Sequence, residues 1–341
     1  MRFRHFFIFS LLSILTFTAC ETDFELDAEY KDITIVYGLL ERTEPGSQSD
    51  TTFIKITRAF LGGDAVNVAM IRDSSEYQEK LDVTLTEMDE YGQVQGSLWT
   101  FDTITINNKQ DSSHGGDFYF PQQQLYYSVM PINEDAIYKL KILVGNKEIT
   151  SETGIINKFG ITRPGPNIII NYKPDQELPF KWVVSYDARS YEAVIRFYYK
   201  EVWEGAAPGD TVYRYLDWYK TKKVNETKPV GDEISAYYPT NLFYASVVNL
   251  VPYPDPQKES KVVARYTVSA QYIVSAATED LETYVLVNNA NSNSIVLDRP
   301  EFTNINNGLG LFSSRIMVDK SKLLSTDTKN NLSNLGVKFE Y

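Results

Sequence analysis

The sequence predicts a mainly β protein, in which an N-terminal immunoglobulin-like β-sandwich is followed by a second β-rich domain with one or two helices. From residue 32 onward, short segments rich in Val, Ile, Thr and aromatic residues alternate with turn signals, which is typical of antiparallel strands. Helical periodicity is rare until late in the chain. The length of 341 residues exceeds the usual size of one domain, so we expect two.

The first domain is expected to cover residues 31–154. Asp89-Glu90-Tyr91-Gly92 predicts a turn between two strands, and Gly145-Asn146 predicts a tight hairpin. Strands at this spacing are typical of antiparallel sandwiches of the immunoglobulin type. The loops at 44–50 and 111–117 are polar and suited to contacts. The predicted strands are 32–40, 52–59, 81–87, 93–100, 125–130, 136–144 and 147–153.

A semi-stiff linker is predicted at residues 155–178, where glycines and prolines interrupt any regular element. The second domain is expected to cover residues 179–341. Its long strands at 191–203 and 211–220 should form a hairpin across a turn that contains Gly and Pro. The other predicted elements are strands at 180–185 and 261–275, a helix at 240–250 and a helix N-capped by Thr278.

The N-terminus has the order of a secretory signal peptide, which is expected to cover residues 1–19. Two arginines precede an apolar run of 12 residues, too short to span a bilayer core, and small residues follow. Phe17-Thr18-Ala19-Cys20 resembles the bacterial lipobox and ends in the only cysteine of the chain. The resemblance implies that Cys20 is the first mature residue and carries acyl chains such as palmitate. The alternative is an ordinary signal peptide cut near Ala19, which leaves a free thiol.

Residues 20–30 are expected to form a lipidated acidic stalk. Glu21, Asp23, Glu25 and Asp27 follow the cysteine closely. Lipoproteins of the Bacteroidota often carry acids at this position, and the resemblance implies display at the cell surface, on the outer face of the outer membrane. The alternative is a solvated tail with no role in sorting.

The charge of the chain argues against nucleic acid as a partner. The formal net charge is −12, and removal of residues 1–19 deletes Arg2 and Arg4 but no acid, so it becomes −14. An acidic surface repels nucleic acid and anionic lipid heads, and a basic stripe is absent from the sequence.

The residues that usually carry catalysis or bind metals are scarce. The two histidines are His5, which leaves with the signal peptide, and His114, which lies in a Ser- and Gly-rich loop typical of a turn. This composition excludes a Cys/His zinc site, and neither a phosphate-binding glycine loop nor a calcium loop is present. We therefore expect no cofactor, no metal and no enzyme activity. The 45 acids keep a carboxylate-pair hydrolase as a third interpretation.

The aromatic residues are the main positive signal for binding. Tyrosine occurs 24 times, and the predicted hairpin is dense in aromatic side chains. Tyr and Trp provide apolar area with a polar tip, which suits protein partners and sugar rings alike. The alternative is structural, because one face of the hairpin must pack on the core and cross-strand aromatic pairs stabilise sheets. The candidate binding aromatics are Trp203, Tyr213, Tyr215, Trp218 and Tyr219.

The segment from Phe302 to Phe312, FTNINNGLGLF, resembles a motif near the end of a Bacteroidota outer-membrane lipoprotein family described only as a domain of unknown function. Its members share the lipobox, an immunoglobulin-like N-terminal domain and a second β-rich domain. Their genes commonly lie beside TonB-dependent receptors, which implies an accessory role in uptake. Gly308 and Gly310 permit positive φ or close backbone approach, which is a structural role.

Three functions remain open from the sequence. The first is a lipid-anchored outer-membrane protein that acts as a non-catalytic binding or accessory subunit, beside a TonB-dependent receptor. The second is a cell-surface module that binds a glycan or peptide ligand or acts in adhesion. The third is the hydrolase. A sugar binder should expose coplanar aromatics beside polar groups, an accessory subunit should show a large, partly apolar patch, and a hydrolase should show a cleft with perturbed acids.

Overall fold

A computed structural model describes residues 33–42, 50–59, 75–109, 120–293 and 301–340 of the chain. The signal peptide, Cys20, the stalk at 20–30, His114 and almost all of the two polar loops lie outside the described residues. The described part contains sixteen strands and four helices, which confirms the mainly β prediction.

The N-terminal half contributes eight strands. They are β1 Ile33–Arg42, β2 Asp50–Ala59, β3 Asp82–Met88, β4 Val94–Thr100, β5 Asp102–Asn107, β6 Gln122–Met130, β7 Ile137–Val144 and β8 Lys147–Gly154.

The C-terminal half contributes eight strands and the four helices. The strands are β9 Ile161–Arg163, β10 Glu177–Val183, β11 Ser190–Trp203, β12 Val212–Val224, β13 Glu233–Pro239, β14 Val262–Ala277, β15 Leu309–Lys322 and β16 Phe339–Glu340. The helices are α1 Thr240–Leu250, α2 Pro256–Ser260, α3 Glu279–Asn293 and α4 Thr326–Ser333. The short helices α2 and α4 were not predicted from the sequence.

One large sheet runs through both halves of the chain. Its strand order is β12-β11-β14-β15-β1-β2-β6-β5, and β16 adds to β14. The connection between the halves is the parallel pair β1 and β15, in which Ile35 lies opposite Leu309 and Arg42 lies opposite Ile316. Two smaller sheets, β4-β3-β7-β8 and β13-β10-β9, complete the architecture.

The N-terminal core lies between strands of the large sheet and the four-stranded sheet. Val36 and Ile54 of the large sheet and Leu85 and Leu140 of the four-stranded sheet belong to one buried cluster. The orders β1-β2-β6-β5 and β4-β3-β7-β8 correspond to A-B-E-D and C′-C-F-G of an immunoglobulin sandwich. That residues 31–154 form an immunoglobulin-like domain stays a prediction.

The C-terminal core is rich in aromatic residues. Phe180 and Trp182 of β10, Tyr272 of β14 and Phe243 of α1 are fully buried in a second cluster. Phe180 lies edge-on to Tyr272, with ring centroids 5.2 Å apart. Such edge-to-face pairs add to the free energy gained from apolar burial.

The linker predicted at residues 155–178 requires correction. Ile156, Phe159, Ile161 and Tyr172 in this segment are buried in the C-terminal core, and β9 pairs with β10. Prolines and glycines here interrupt regular structure, but the apolar residues between them are buried, Ile155 in the N-terminal core and the others in the C-terminal core. Whether the two halves fold separately stays a prediction.

The segment that resembles the lipoprotein motif forms the joint between the halves. Gly310 has a φ of +115°, and a Cβ at this position would lie 2.0 Å from the Val36 carbonyl oxygen. The Asn304 side chain donates to the Phe312 carbonyl oxygen at 2.7 Å and accepts from its N–H at 2.9 Å. The structural role expected for Gly310 is therefore confirmed.

Candidate functional site

The hairpin of β11 and β12 separates buried from accessible side chains by alternation. Along β11, Tyr191 and Phe197 are fully buried, whereas Arg196, Tyr198 and Lys200 are half-buried and point to the other side of the sheet. Successive residues of a strand face opposite sides, so the first group packs on the core and the second faces outward.

The outward residues of β11 meet two exposed tyrosines of β12. Tyr198 lies opposite Tyr215, and Lys200 lies opposite Tyr213. Tyr213 is 61% exposed and Tyr215 is 58% exposed. We call the surface formed by Arg196, Tyr198, Lys200, Tyr213 and Tyr215 the hairpin outer face.

Cations of β11 cover the exposed tyrosine rings. The Arg196 guanidinium carbon lies 4.1 Å from the centroid of Tyr215, and the Lys200 ammonium lies 4.8 Å from the centroid of Tyr213. Asp217 orients Arg196 through two hydrogen bonds, Nε to Oδ1 at 2.6 Å and Nη2 to Oδ2 at 2.9 Å. These hydrogen bonds raise the pKa of Arg196 above its ordinary value, so the cation is permanent.

A chain of polar groups extends the surface across the next two strands. The Tyr198 hydroxyl donates to Gln271 Oε1 at 3.0 Å, and Gln271 Nε2 donates to Asp319 Oδ2 at 2.8 Å. Because these side chains are held by their neighbours, ordering them further would cost little side-chain entropy.

Two of the aromatics predicted to bind are on the core side. Trp218 is 4% exposed, and Tyr219 packs against the C-terminal cluster and donates to the Tyr237 carbonyl oxygen at 3.0 Å. Trp218 is on this side by the regular alternation of β12, whereas Tyr219 is there because of a β-bulge, in which Ile195 pairs with Tyr219 and Arg196 pairs with Asp217. The extra residue shifts the alternation by one, so Tyr219 no longer shares the face of Tyr213.

The fifth candidate, Trp203, occupies an intermediate position at the end of β11. It is half-buried, and its ring centroid lies 5.5 Å from that of Tyr253. Of the five predicted aromatics, the structure therefore places only Tyr213 and Tyr215 on an open surface. Sequence reasoning missed Arg196 and Lys200. The signal was available, because alternation along β11 places both residues on the face opposite to Phe197.

A buried network of ion pairs supports the end of the hairpin. Arg265 is fully buried and contacts Glu201 through Nε at 3.1 Å and Glu259 through Nη2 at 2.7 Å. Tyr253 donates to Glu201 at 2.8 Å, and Arg214 pairs with the same carboxylate at 3.3 Å. Hydrogen bonds from Arg265 lower the pKa of Glu259.

The described residues offer limited material for catalysis. They contain no group of three or more His, Cys, Asp or Glu that could hold a metal ion. A cavity of about 470 Å³ is lined by Asp187, Arg189, Lys228 and Asp280. Partial desolvation raises the pKa of the Asp187 carboxyl. Carboxylate-pair hydrolysis stays a prediction.

Comparisons with known proteins place the chain in no family. No family model matches it, and no curated protein matches it. The structure of Escherichia coli alpha-2-macroglobulin activated by porcine elastase is similar at 10% identity, with a TM-score of 0.19. The match covers 86% of this chain and 20% of the macroglobulin chain. The native conformation of the same macroglobulin is similar at 12% identity, with a TM-score of 0.20. This match covers 74% of this chain and 13% of the macroglobulin chain.

The chain spans a fifth or less of the length of these two structures. Likenesses at such TM-scores carry no argument about fold or function. In the described part of the chain, every helix is too short or too polar to cross a bilayer.

Proposed function

We propose that this protein is a lipoprotein, anchored to the outer membrane through Cys20, that acts as a non-catalytic binding subunit beside a TonB-dependent receptor. The contact surface in this proposal is the hairpin outer face. The observation that supports it is the pair of exposed tyrosines, Tyr213 and Tyr215, which project from a rigid sheet beneath ordered cations.

The composition of the hairpin outer face fits a protein partner. Tyr and Arg are enriched at the centres of protein interfaces, where they dominate the binding free energy. Arg196 and Tyr215 are already stacked, so a partner gains their contacts without ordering them. A lipid anchor would also hold the protein in two dimensions beside receptors, and a high effective concentration strengthens weak docking.

The test is co-purification from detergent-solubilised membranes of wild-type protein and the Tyr213→Ala and Tyr215→Ala variants. We expect wild type to recover a TonB-dependent receptor and each variant to lose about 2 kcal/mol of binding free energy, or roughly thirtyfold in affinity. Tyr186→Ala is the matched control, because Tyr186 is 59% exposed but lies outside the hairpin. Equal recovery by all three variants would show that this surface is not the contact.

A glycan-binding module is the second candidate, and one observation favours it. Tyr215 and Tyr198, with ring centroids 6.1 Å apart, lie beside the polar side chains of Arg196, Gln271 and Asp319. However, Arg196 covers one face of Tyr215, and a sugar ring would need a free aromatic face for stacking. Reproducible recovery without any receptor, together with tight polysaccharide binding lost in Tyr215→Ala, would favour this function.

A further inference from the structure

A cavity of about 300 Å³ lies on the side of β15 where β1 ends. The parallel pairing of β1 with β15 stops at Arg42 opposite Ile316, whereas β15 continues to Lys322 with β14 as its partner on the other side. The cavity borders this continuation of β15 and the segment from Lys158 to Ile161. None of the five residues of the hairpin outer face lines it, although Asp319 belongs both to its lining and to the polar chain that extends that face.

The walls of the cavity combine apolar and cationic side chains. Phe159, Ile161 and Ile316 are buried residues that contribute apolar surface. Lys158 and Lys320 also line it, and in the described part of the chain neither ammonium has a carboxylate partner within 4.0 Å. Lys158 is exposed and Lys320 is half-buried, so two cationic side chains without a carboxylate partner border the same cavity.

The acids near the cavity are already engaged. Glu134 accepts from Arg42 Nη1 at 2.5 Å and from the Lys158 backbone N–H at 3.0 Å. Asp319 lines the cavity, and its carboxylate accepts from Gln271 at 2.8 Å. The Lys158 ammonium is therefore free to pair with an anion from outside the protein.

The environment of Lys320 also favours an anionic ligand. Its ammonium donates to the Ile161 carbonyl oxygen, and the ammonium of Lys322, which is buried, donates to the Pro166 carbonyl oxygen. Desolvation and the charge of Lys322 lower the pKa of Lys320. A carboxylate in the cavity would oppose this lowering of the pKa, because a charge-assisted hydrogen bond stabilises the ammonium form.

We propose that this cavity binds a small organic carboxylate with an apolar body, the carboxylate contacting Lys158 and Lys320 and the apolar body contacting Phe159, Ile161 and Ile316. The volume lies at the lower end of ligand pockets, which suits a single ring or a short chain. This inference is independent of the proposed receptor contact.

The test is ligand-observed ¹⁹F NMR with 4-(trifluoromethyl)benzoate as the probe and the isosteric benzamide as the neutral control. We expect saturable binding of the benzoate and weaker binding of the amide by about tenfold. Lys158→Gln and Lys320→Met should each weaken benzoate binding about tenfold. The control is Lys220→Gln, which removes a lysine of β12 that is paired with Glu192 of β11. This variant should leave the affinity for benzoate unchanged.

A blocking variant separates the cavity from general surface charge. Gly160 lines the cavity and a Cβ there would have no neighbour within 4 Å, so we expect Gly160→Trp to keep a melting temperature near that of wild type and to narrow the cavity. This variant should abolish benzoate binding. The proposal is overturned by absence of saturable binding, by equal binding of benzoate and benzamide, or by unchanged affinity in Gly160→Trp and Lys158→Gln.

Discussion

Replacing Gly310 with alanine should weaken the joint between the two halves of the large sheet. The φ of +115° is a strained conformation for any L-residue, which costs about 1–3 kcal/mol. The new Cβ would also lie 2.0 Å from the Val36 carbonyl oxygen, 2.9 Å from its carbonyl carbon and 3.0 Å from its amide nitrogen. These are backbone atoms, so the contact is relieved only when β1 moves away from β15.

Moving β1 weakens the ladder in which its residues from Ile35 to Arg42 pair with β15. A net contribution of about 1 kcal/mol per hydrogen bond, added to the backbone strain, gives an expected loss of about 4 kcal/mol of unfolding free energy. The assay is urea unfolding followed by tryptophan fluorescence, with hydrogen exchange of the peptide from residues 33–42. We expect a lower midpoint and faster exchange in β1.

Gly160→Ala is the matched control for this experiment. Its Cβ meets no atom within 4 Å and its backbone is not in the left-handed region, so we expect a change within about 0.5 kcal/mol. If Gly310→Ala stays within about 1 kcal/mol of wild type, the reasoning on close strand approach is refuted.

Three further outcomes are expected. Trp218→Ala should lower the unfolding free energy by about 3–5 kcal/mol in thermal denaturation, whereas Tyr215→Ala should lower it by less than about 1 kcal/mol. Equal losses would contradict the placement of Trp218 in the core and Tyr215 on the surface. Glu201→Ala should cost about 3–5 kcal/mol, because it leaves buried Arg265 with one partner fewer, and a neutral result would exclude a stabilising network. The lowered pKa of Glu259 gives stability that is present above its ordinary pKa of 4.5 and is lost as the pH falls through the lower folded value. Glu259→Gln should flatten the dependence of melting temperature on pH below about pH 5, and an unchanged slope would contradict this.

Local patterns in the sequence were sufficient for much of the fold. The helix predicted at 240–250 coincides with α1, and seven of the eight strands of the N-terminal half fall close to their predicted places, whereas β5 was not predicted. Alternation and turn residues act over a few positions, so they are visible in the sequence. The same alternation holds in β11, where it separates the buried Phe197 from the outward-facing Arg196.

Features that depend on distant segments were not visible. The parallel pairing of β1 with β15 joins residues more than 270 positions apart, and no local pattern specifies it. The bulge beside Ile195 changes which face Tyr219 occupies, although the residue order of β12 shows regular alternation. The apolar residues at 155–178 are buried by strands from both halves, which their Pro- and Gly-rich context obscured.

The position of β1 within the large sheet also determines how the protein responds to mechanical load. β1 has β2 on one side and β15 on the other, so a pull along its axis is carried by hydrogen bonds to both neighbours at once. Because these bonds lie across the strand, such a force shears two ladders together and does not open them one bond at a time. Tension applied at the N-terminal end of β1 is therefore shared between its ladders with β2 and β15.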